Sequence, residues 1–122
     1  MSETAGSKVY DLEERTFRFA KRARRFIKRL PPSVANLEDS RQLVRSSGSV
    51  GANYIEANES LGKKDFRLHV RIARKEAKES RYWLRLVDPA DGDAETESLR
   101  QELIRESTEL MLILAAILRK SG

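Results

Sequence analysis

DFRLHVRIARKEAKESRYWLRLV, residues 65–87, is the stretch around which the chain is arranged. Phe66, Val70, Ala73, Ala77, Leu84 and Val87 recur at spacings of three and four. That period places them on one face of a 3.6-residue helix. Arg67, Arg71, Arg74, Lys78, Arg81 and Arg85 recur in the same way and are expected on the opposite face. Ile72, Glu76, Glu79, Trp83 and Leu86 line one flank between the two stripes.

The same period continues on either side. Leu12, Thr16, Phe19, Ala20, Ala23, Phe26, Ile27 and Leu30 form an amphipathic stripe, with Asp11 as the expected N-cap and Glu13 and Glu14 in the first turn. Pro31-Pro32 ends that helix, because the residue before a proline is driven out of the α region and proline lacks an N–H. A second helix is expected from Ser33 or Asn36 to about Ser60, with Leu37, Ser40, Val44, Ser47, Gly51, Tyr54 and Leu61 inward. Its middle, SSGSVGAN over Ser46–Asn53, has poor helix propensity, each glycine costing about 1 kcal/mol relative to alanine. The stripe stays in phase across it, and small residues there let a neighbouring backbone come close. Gly62 is the expected C′ residue before the long third helix. Asp88–Asp93, DPADGD, is a turn. Asp93 caps a fourth helix with Leu99, Leu103, Leu110, Leu114 and Ile117 as its stripe.

Four helices with short connections read as an all-α, antiparallel up-down-up-down four-helix bundle. It is expected over residues 11–120, behind a disordered lead-in of residues 1–10. With 122 residues there is room for one domain and a real core. Charged residues make up 35% and the net charge is +5, a balance that favours polyanionic partners only modestly. The absence of cysteine excludes disulfides and thiolate metal sites. The start, MSETAGSKVY, lacks the apolar run of a signal peptide. The longest apolar run, Leu110–Leu118, is far short of the roughly 20 residues that span a bilayer. A cytoplasmic protein without a membrane partner is expected.

Two helices carry more apolar surface than one core stripe needs. Leu112 and Ile113 lie off the main stripe of the fourth helix, and Leu68, Ile72, Trp83 and Leu86 widen the third. One reading is a thick core with stray surface hydrophobes. The favoured one is a homo-oligomer interface of Leu68, Ile72, Trp83, Leu86, Leu112 and Ile113, with Glu76 and Glu79 pairing with Arg or Lys across it.

Charge is unevenly placed. Between Arg15 and Arg29 there are eight basic residues and no acidic one, with Phe17 among them. Cations interleaved with an aromatic suit nucleic acid, where phosphates are neutralised and bases stack. Arg18, Lys21, Arg22 and Arg25, with Arg67, Arg71, Arg74, Lys78, Arg81 and Arg85, are the candidate contacts to RNA or DNA. Against this, Asp91–Glu109 holds seven acids, so part of the basic surface can instead pair with the fourth helix, within or between subunits. Both readings stand on the sequence. A protein-binding adaptor whose basic faces serve subunit pairing is the alternative function.

Enzymatic chemistry finds little support. His69 is the single histidine and reads as structural. A di-iron bundle needs Glu-x-x-His on two helices; here stands Glu76-Ala77-Lys78-Glu79. GSVG at Gly48–Gly51 matches a KH loop in letters only, because the strands of that module are missing. No phosphate-binding glycine loop occurs, and no arginine precedes His69 with four to six residues between them, as in some bundle ribonucleases. No catalytic residue, metal or cofactor is expected.

Three segments together resemble a known family. They are FA at Phe19-Ala20 with IKRLP at Ile27–Pro31, QLVRSSGSVGANYIEA at Gln42–Ala57, and KDF at Lys64–Phe66 with ARKEAKESRYWL at Ala73–Leu84. The chain is similar to the bacterial four-helix-bundle proteins encoded in intervening sequences of 23S rRNA genes. More distantly it is similar to the accessory variability determinant proteins of diversity-generating retroelements. The resemblance implies an antiparallel bundle assembled as a homopentamer. Its retroelement branch implies a basic ring that binds nucleic acid and a nucleic-acid-processing protein, a reverse transcriptase. It brings no catalytic residues.

Overall fold

A computed structural model describes the backbone of residues 5–122 and the side chains from Leu12 onward. It contains α1 (Ala5–Ile27), α2 (Val34–Asn58), α3 (Lys63–Leu86) and α4 (Ala94–Ser121), and no strand among the described residues. Each helix packs on its two neighbours in the order α1-α2-α3-α4, and among the described residues the diagonal backbones do not approach closely, so diagonal helices meet only through core side chains. The fold is the antiparallel four-helix bundle. Of the lead-in expected over residues 1–10, residues 1–4 lie outside the described residues. From Ala5 the backbone is already helical, so Asp11 sits inside α1 and does not cap it.

The stripe expected on α3 is the buried one: Val70, Ala73, Ala77, Leu84 and Val87 are covered, and Phe66 packs partly against them. They meet Phe19, Ala23 and Phe26 of α1, Leu43 and Val50 of α2, and Leu103, Leu110 and Leu114 of α4 in one core.

On α2 the expected phase is corrected. Ser40, Ser47, Gly51 and Tyr54 do turn inward, but Leu37, Val44 and Leu61 are exposed, and Leu43, Val50 and Ala57 take the core positions. The cause is that α2 is wedged between two helices and buries a wide arc centred on Val50. Ser46 Oγ meets Ser80 Oγ of α3 at 2.8 Å on one side. Gly51 lies against Thr16 of α1 on the other, where a Cβ would stand 2.8 Å from Thr16 Oγ1. Small residues carry little weight in a hydrophobic pattern, so the centre of that arc is poorly marked. The same close approach explains why a stretch of weak helix formers is helical: packing offsets propensity.

The ends follow local chemistry. Ser33 caps α2 by accepting from the Asn36 N–H, and Asp93 caps α4 by accepting from the Thr96 N–H. Gly62 is not the C′ residue of α2. It is the N-cap of α3 in extended geometry, and α2 ends at Asn58 with Glu59 as its C-cap. Among the described residues Gly92 alone adopts positive φ, in the turn before Asp93. Buried Asn36 ties two loops at that end of the bundle. Its Nδ2 donates to Pro31 O and Asp88 O, both at 3.0 Å, and its Oδ1 accepts from Asp88 N at 2.8 Å.

Candidate nucleic-acid and subunit-contact surfaces

The basic side of α1 is divided between two tasks. Arg15, Arg22 and Arg29 recur every seven residues, and so do Glu109, Glu102 and Glu95 on the antiparallel α4. The two rows close on each other. Arg15 reaches Glu106 and Glu109 at 2.7 Å, and Arg22 reaches Glu102 and Arg29 reaches Glu95 at 2.8 Å. Two carboxylates hold the Arg15 guanidinium, chiefly through the Glu106 hydrogen bond, and raise its pKa further. Arg22, a candidate contact to nucleic acid, is therefore part of a helix–helix seam. The other candidates on this helix face outward. Arg18 has only a loose contact to Glu14 at 3.5 Å, and Lys21 and Arg25 have no ion-pair partner among the described residues. Lys28, which sequence reasoning left out, continues that outward row, and Phe17 stands beside it 57% exposed.

The α3 ridge is not on the face opposite the core. It runs along the α3–α4 seam, and its members differ in fate. Arg67 donates to Leu118 O at 2.6 Å and to Ser121 Oγ at 2.9 Å, a carbonyl and a hydroxyl in the last turn of α4. Arg81 donates to Thr108 Oγ1 at 3.2 Å. Arg71, Arg74, Lys78 and Arg85 stay exposed. A three-and-four spacing fixes that residues share a stripe, but the direction of the stripe depends on where the neighbouring helix lies. Beside the ridge is an open groove of about 590 Å³, with Ile72, Met111, Leu112 and Ala115 lining it among Arg71, Arg74, Lys75 and Lys78. The α1 and α3 rows occupy diagonal corners, so one copy presents two separate cationic tracks.

The residues expected at a subunit interface are scattered by burial. Leu68, Leu86 and Leu112 are exposed, the last by 65%. Ile72, Trp83 and Ile113 are half-buried. Glu76 is buried and pairs inside its own chain: Arg45 Nη1 lies 3.3 Å from its Oε1, while Arg45 Nη2 reaches Glu79 at 3.0 Å. Sequence reasoning missed Arg45 because a partner on another helix has no fixed spacing. The Trp83 ring meets Tyr82 edge-on at 5.1 Å, and its Nε1–H is buried without an acceptor among the described residues. A second apolar surface, not anticipated, runs along α1 and α2 through Phe17, Leu37, Val44 and Ile55.

His69 is half-buried, with Nδ1 3.2 Å from Asn53 Oδ1. Among the described residues no group of three or more His, Cys, Asp or Glu is placed to hold a metal ion. No described helix is long and apolar enough to cross a membrane.

The molecule is thus an antiparallel four-helix bundle with cationic rows at two corners and uncovered apolar grooves. The model of the 23S rRNA-intervening sequence protein family matches residues 8–116, and the chain belongs to that family. It is also similar to a crystal structure from Bacteroides thetaiotaomicron, a protein of unknown function from the S23 ribosomal protein family. The two share 31% identity over 87% of this chain and 96% of that one, with a TM-score of 0.72. None of the curated proteins compared with the chain matches it.

Proposed function

We propose that this protein is a non-enzymatic, cytoplasmic homo-oligomer that binds RNA or DNA without sequence specificity. Five copies is the number that the resemblance to its family implies. The observation that carries the reading is two rows of exposed cations without an ion-pair partner among the described residues. These are Lys21, Arg25 and Lys28 on α1 and Arg71, Arg74, Lys78 and Arg85 on α3. Spaced by three, four or seven residues, they recur along each helix one or two turns apart and match a phosphate track better than a compact ligand. Phe17 beside the α1 row offers a surface for stacking. Two separate rows per copy give an assembly several contact strips, so that weak sites add.

The test is a fluorescence-anisotropy titration with a structured RNA hairpin and with duplex DNA at several salt concentrations. Three or four phosphate contacts give a log–log salt slope of about −3. The triple variants K21E/R25E/K28E and R74E/K78E/R85E each weaken binding at least tenfold while circular dichroism stays helical. Absence of binding at low salt refutes the reading.

One observation favours the adaptor alternative. Arg15, Arg22 and Arg29 are consumed by α4, so much of the α1 charge serves helix pairing. On that reading neither nucleic acid binds, and the exposed grooves take a protein.

A further inference from the structure

Between α1 and α2 lies an open cleft of about 270 Å³. Its floor is low, because α2 contributes only Gly48, Gly51 and Ala52 and α1 contributes Ala20. At Gly51 the two helices touch through Thr16, so the floor is packed from beneath, whereas above Gly48 only the end of Arg24 comes near. Phe17, Lys21 and Arg24 of α1 stand along the rim, with Glu13 beyond Phe17. At 1.5 Å per residue, Phe17 lies about 6 Å from Lys21 and about 10 Å from Arg24 along the helix.

The two ends of the cleft differ in chemistry. Phe17 is 57% exposed, so its ring is not engaged by the core. Lys21 is exposed and has no ion-pair partner among the described residues. The Arg24 guanidinium is laid over α2, with Nη1 3.1 Å from Ala20 O and Nη2 3.4 Å from Val44 O. Carbonyls hold it in place without neutralising its charge. Exposed Lys28 follows one turn further on. Glu13, the acid of the lining, sits at the opposite end and accepts from Asn58 Nδ2 at 2.9 Å.

We propose that this cleft seats one unpaired nucleobase, stacked on Phe17, with its phosphate on Lys21 and Arg24. The inference deepens the nucleic-acid reading made above and rests on it. A nucleotide carries a flat ring and an anion on one short unit, which is the order of groups along this rim. Glu13 repels phosphate from the Phe17 end and so sets the orientation. A duplex can place a base here only by flipping it out, at the cost of unpairing and unstacking. A single strand offers its bases without that cost and stacks them on aromatic side chains. The α3 row is not equivalent. The groove beside it is lined by Ile72, Met111, Leu112 and Ala115 with no ring, and the exposed Tyr82 of that helix lies outside it. The α3 row therefore takes phosphates of either strand form, and the α1–α2 cleft favours single strands.

The test compares fluorescence-anisotropy titrations of an unstructured single strand and its blunt duplex, as RNA and as DNA, at one low salt concentration. Phe17→Leu keeps apolar bulk and removes the ring, Phe17→Trp keeps a ring, and Ala52→Leu fills the cleft from α2. Both positions are exposed, and circular dichroism shows each variant as helical as the wild type. Phe17→Leu and Ala52→Leu each weaken single-strand binding about tenfold or more relative to duplex binding, and Phe17→Trp does not. R74E/K78E/R85E weakens both probes by a similar factor. The RNA and DNA arms show which backbone supplies the base. Equal losses on the two probes or no loss in either leucine variant, or a loss in Phe17→Trp as large as in Phe17→Leu, overturns the base site. The nucleic-acid reading then stands, and the cleft is left to a protein or a second copy. A wild type that binds neither probe overturns that reading and this inference with it.

Discussion

Replacing Gly51 by alanine should destabilise the bundle, although alanine is the better helix former. Two terms compete. Glycine in a helix interior is about 1 kcal/mol worse than alanine, so the change gains that much from propensity and from the unfolded chain. Against it stands the approach to α1: an added Cβ meets Thr16 Oγ1 at 2.8 Å and Thr16 Cβ at 3.2 Å. Thr16 cannot swing away freely, because its hydroxyl donates to Leu12 O or Glu13 O, each at 2.9 Å, and the residue is buried. Forcing a methyl into a packed contact costs roughly 1–3 kcal/mol, which leaves a net loss of about 1 kcal/mol. Gly48, one turn earlier, is the control. There the nearest atom is the end of the Arg24 side chain at 3.4 Å, which can move. Gly48→Ala should gain about 0.5–1 kcal/mol. The two variants should thus differ by about 2 kcal/mol, or roughly 6–10 °C in Tm for a chain of this length. Thr16→Ala in the Gly51→Ala background should be milder than the sum of the single changes, with a coupling of about 1 kcal/mol. Thermal melts followed at 222 nm decide it. Equal stabilisation by Gly48→Ala and Gly51→Ala would show that the small residues of α2 are not there for close packing.

Asn36→Ala strips three hydrogen bonds from two loops and leaves the Asp88 N–H without its partner, so a loss of about 2–3 kcal/mol is expected in urea unfolding. Arg45→Ala leaves buried Glu76 with only Lys75 at 3.9 Å; because Arg45 is itself half exposed, the expected loss is only about 1–2 kcal/mol, and Glu76→Gln in that background should recover most of it. The Thr96 hydroxyl, then the Thr96 N–H, hold the Asp93 carboxyl below the usual aspartate range. A depressed folded-state pKa contributes stability above the unfolded-state value and loses it as pH falls through the folded one. Asp93→Asn should therefore lower Tm at pH 7 and converge with the wild type in acid, whereas a constant gap down to pH 2 would refute the assignment.

What could be read in the sequence depended on where the information is stored. On α3 the large apolar residues sit at helical spacing, so burial of Val70, Ala73, Ala77 and Leu84 followed from period alone. On α2 the decisive contacts belong to Ser46, Ser47 and Gly51, which are small, and the exposed Leu37 and Val44 outweighed them in any hydrophobic count. Charge shows the same division more sharply. A run of eight basic residues on α1 is visible at once, but which of them remain free is decided by α4, some eighty residues later. The heptad match of Arg15, Arg22 and Arg29 with Glu109, Glu102 and Glu95 is present in the letters. It becomes meaningful only when α1 and α4 are known to be antiparallel neighbours. Local periodicity therefore reports the elements, and topology converts the same residues into either a seam or a surface. A nucleic-acid surface on this bundle has to be built from what the seam leaves over, which is why Lys21, Arg25 and Lys28 carry more of the functional argument than the longer list of cations does.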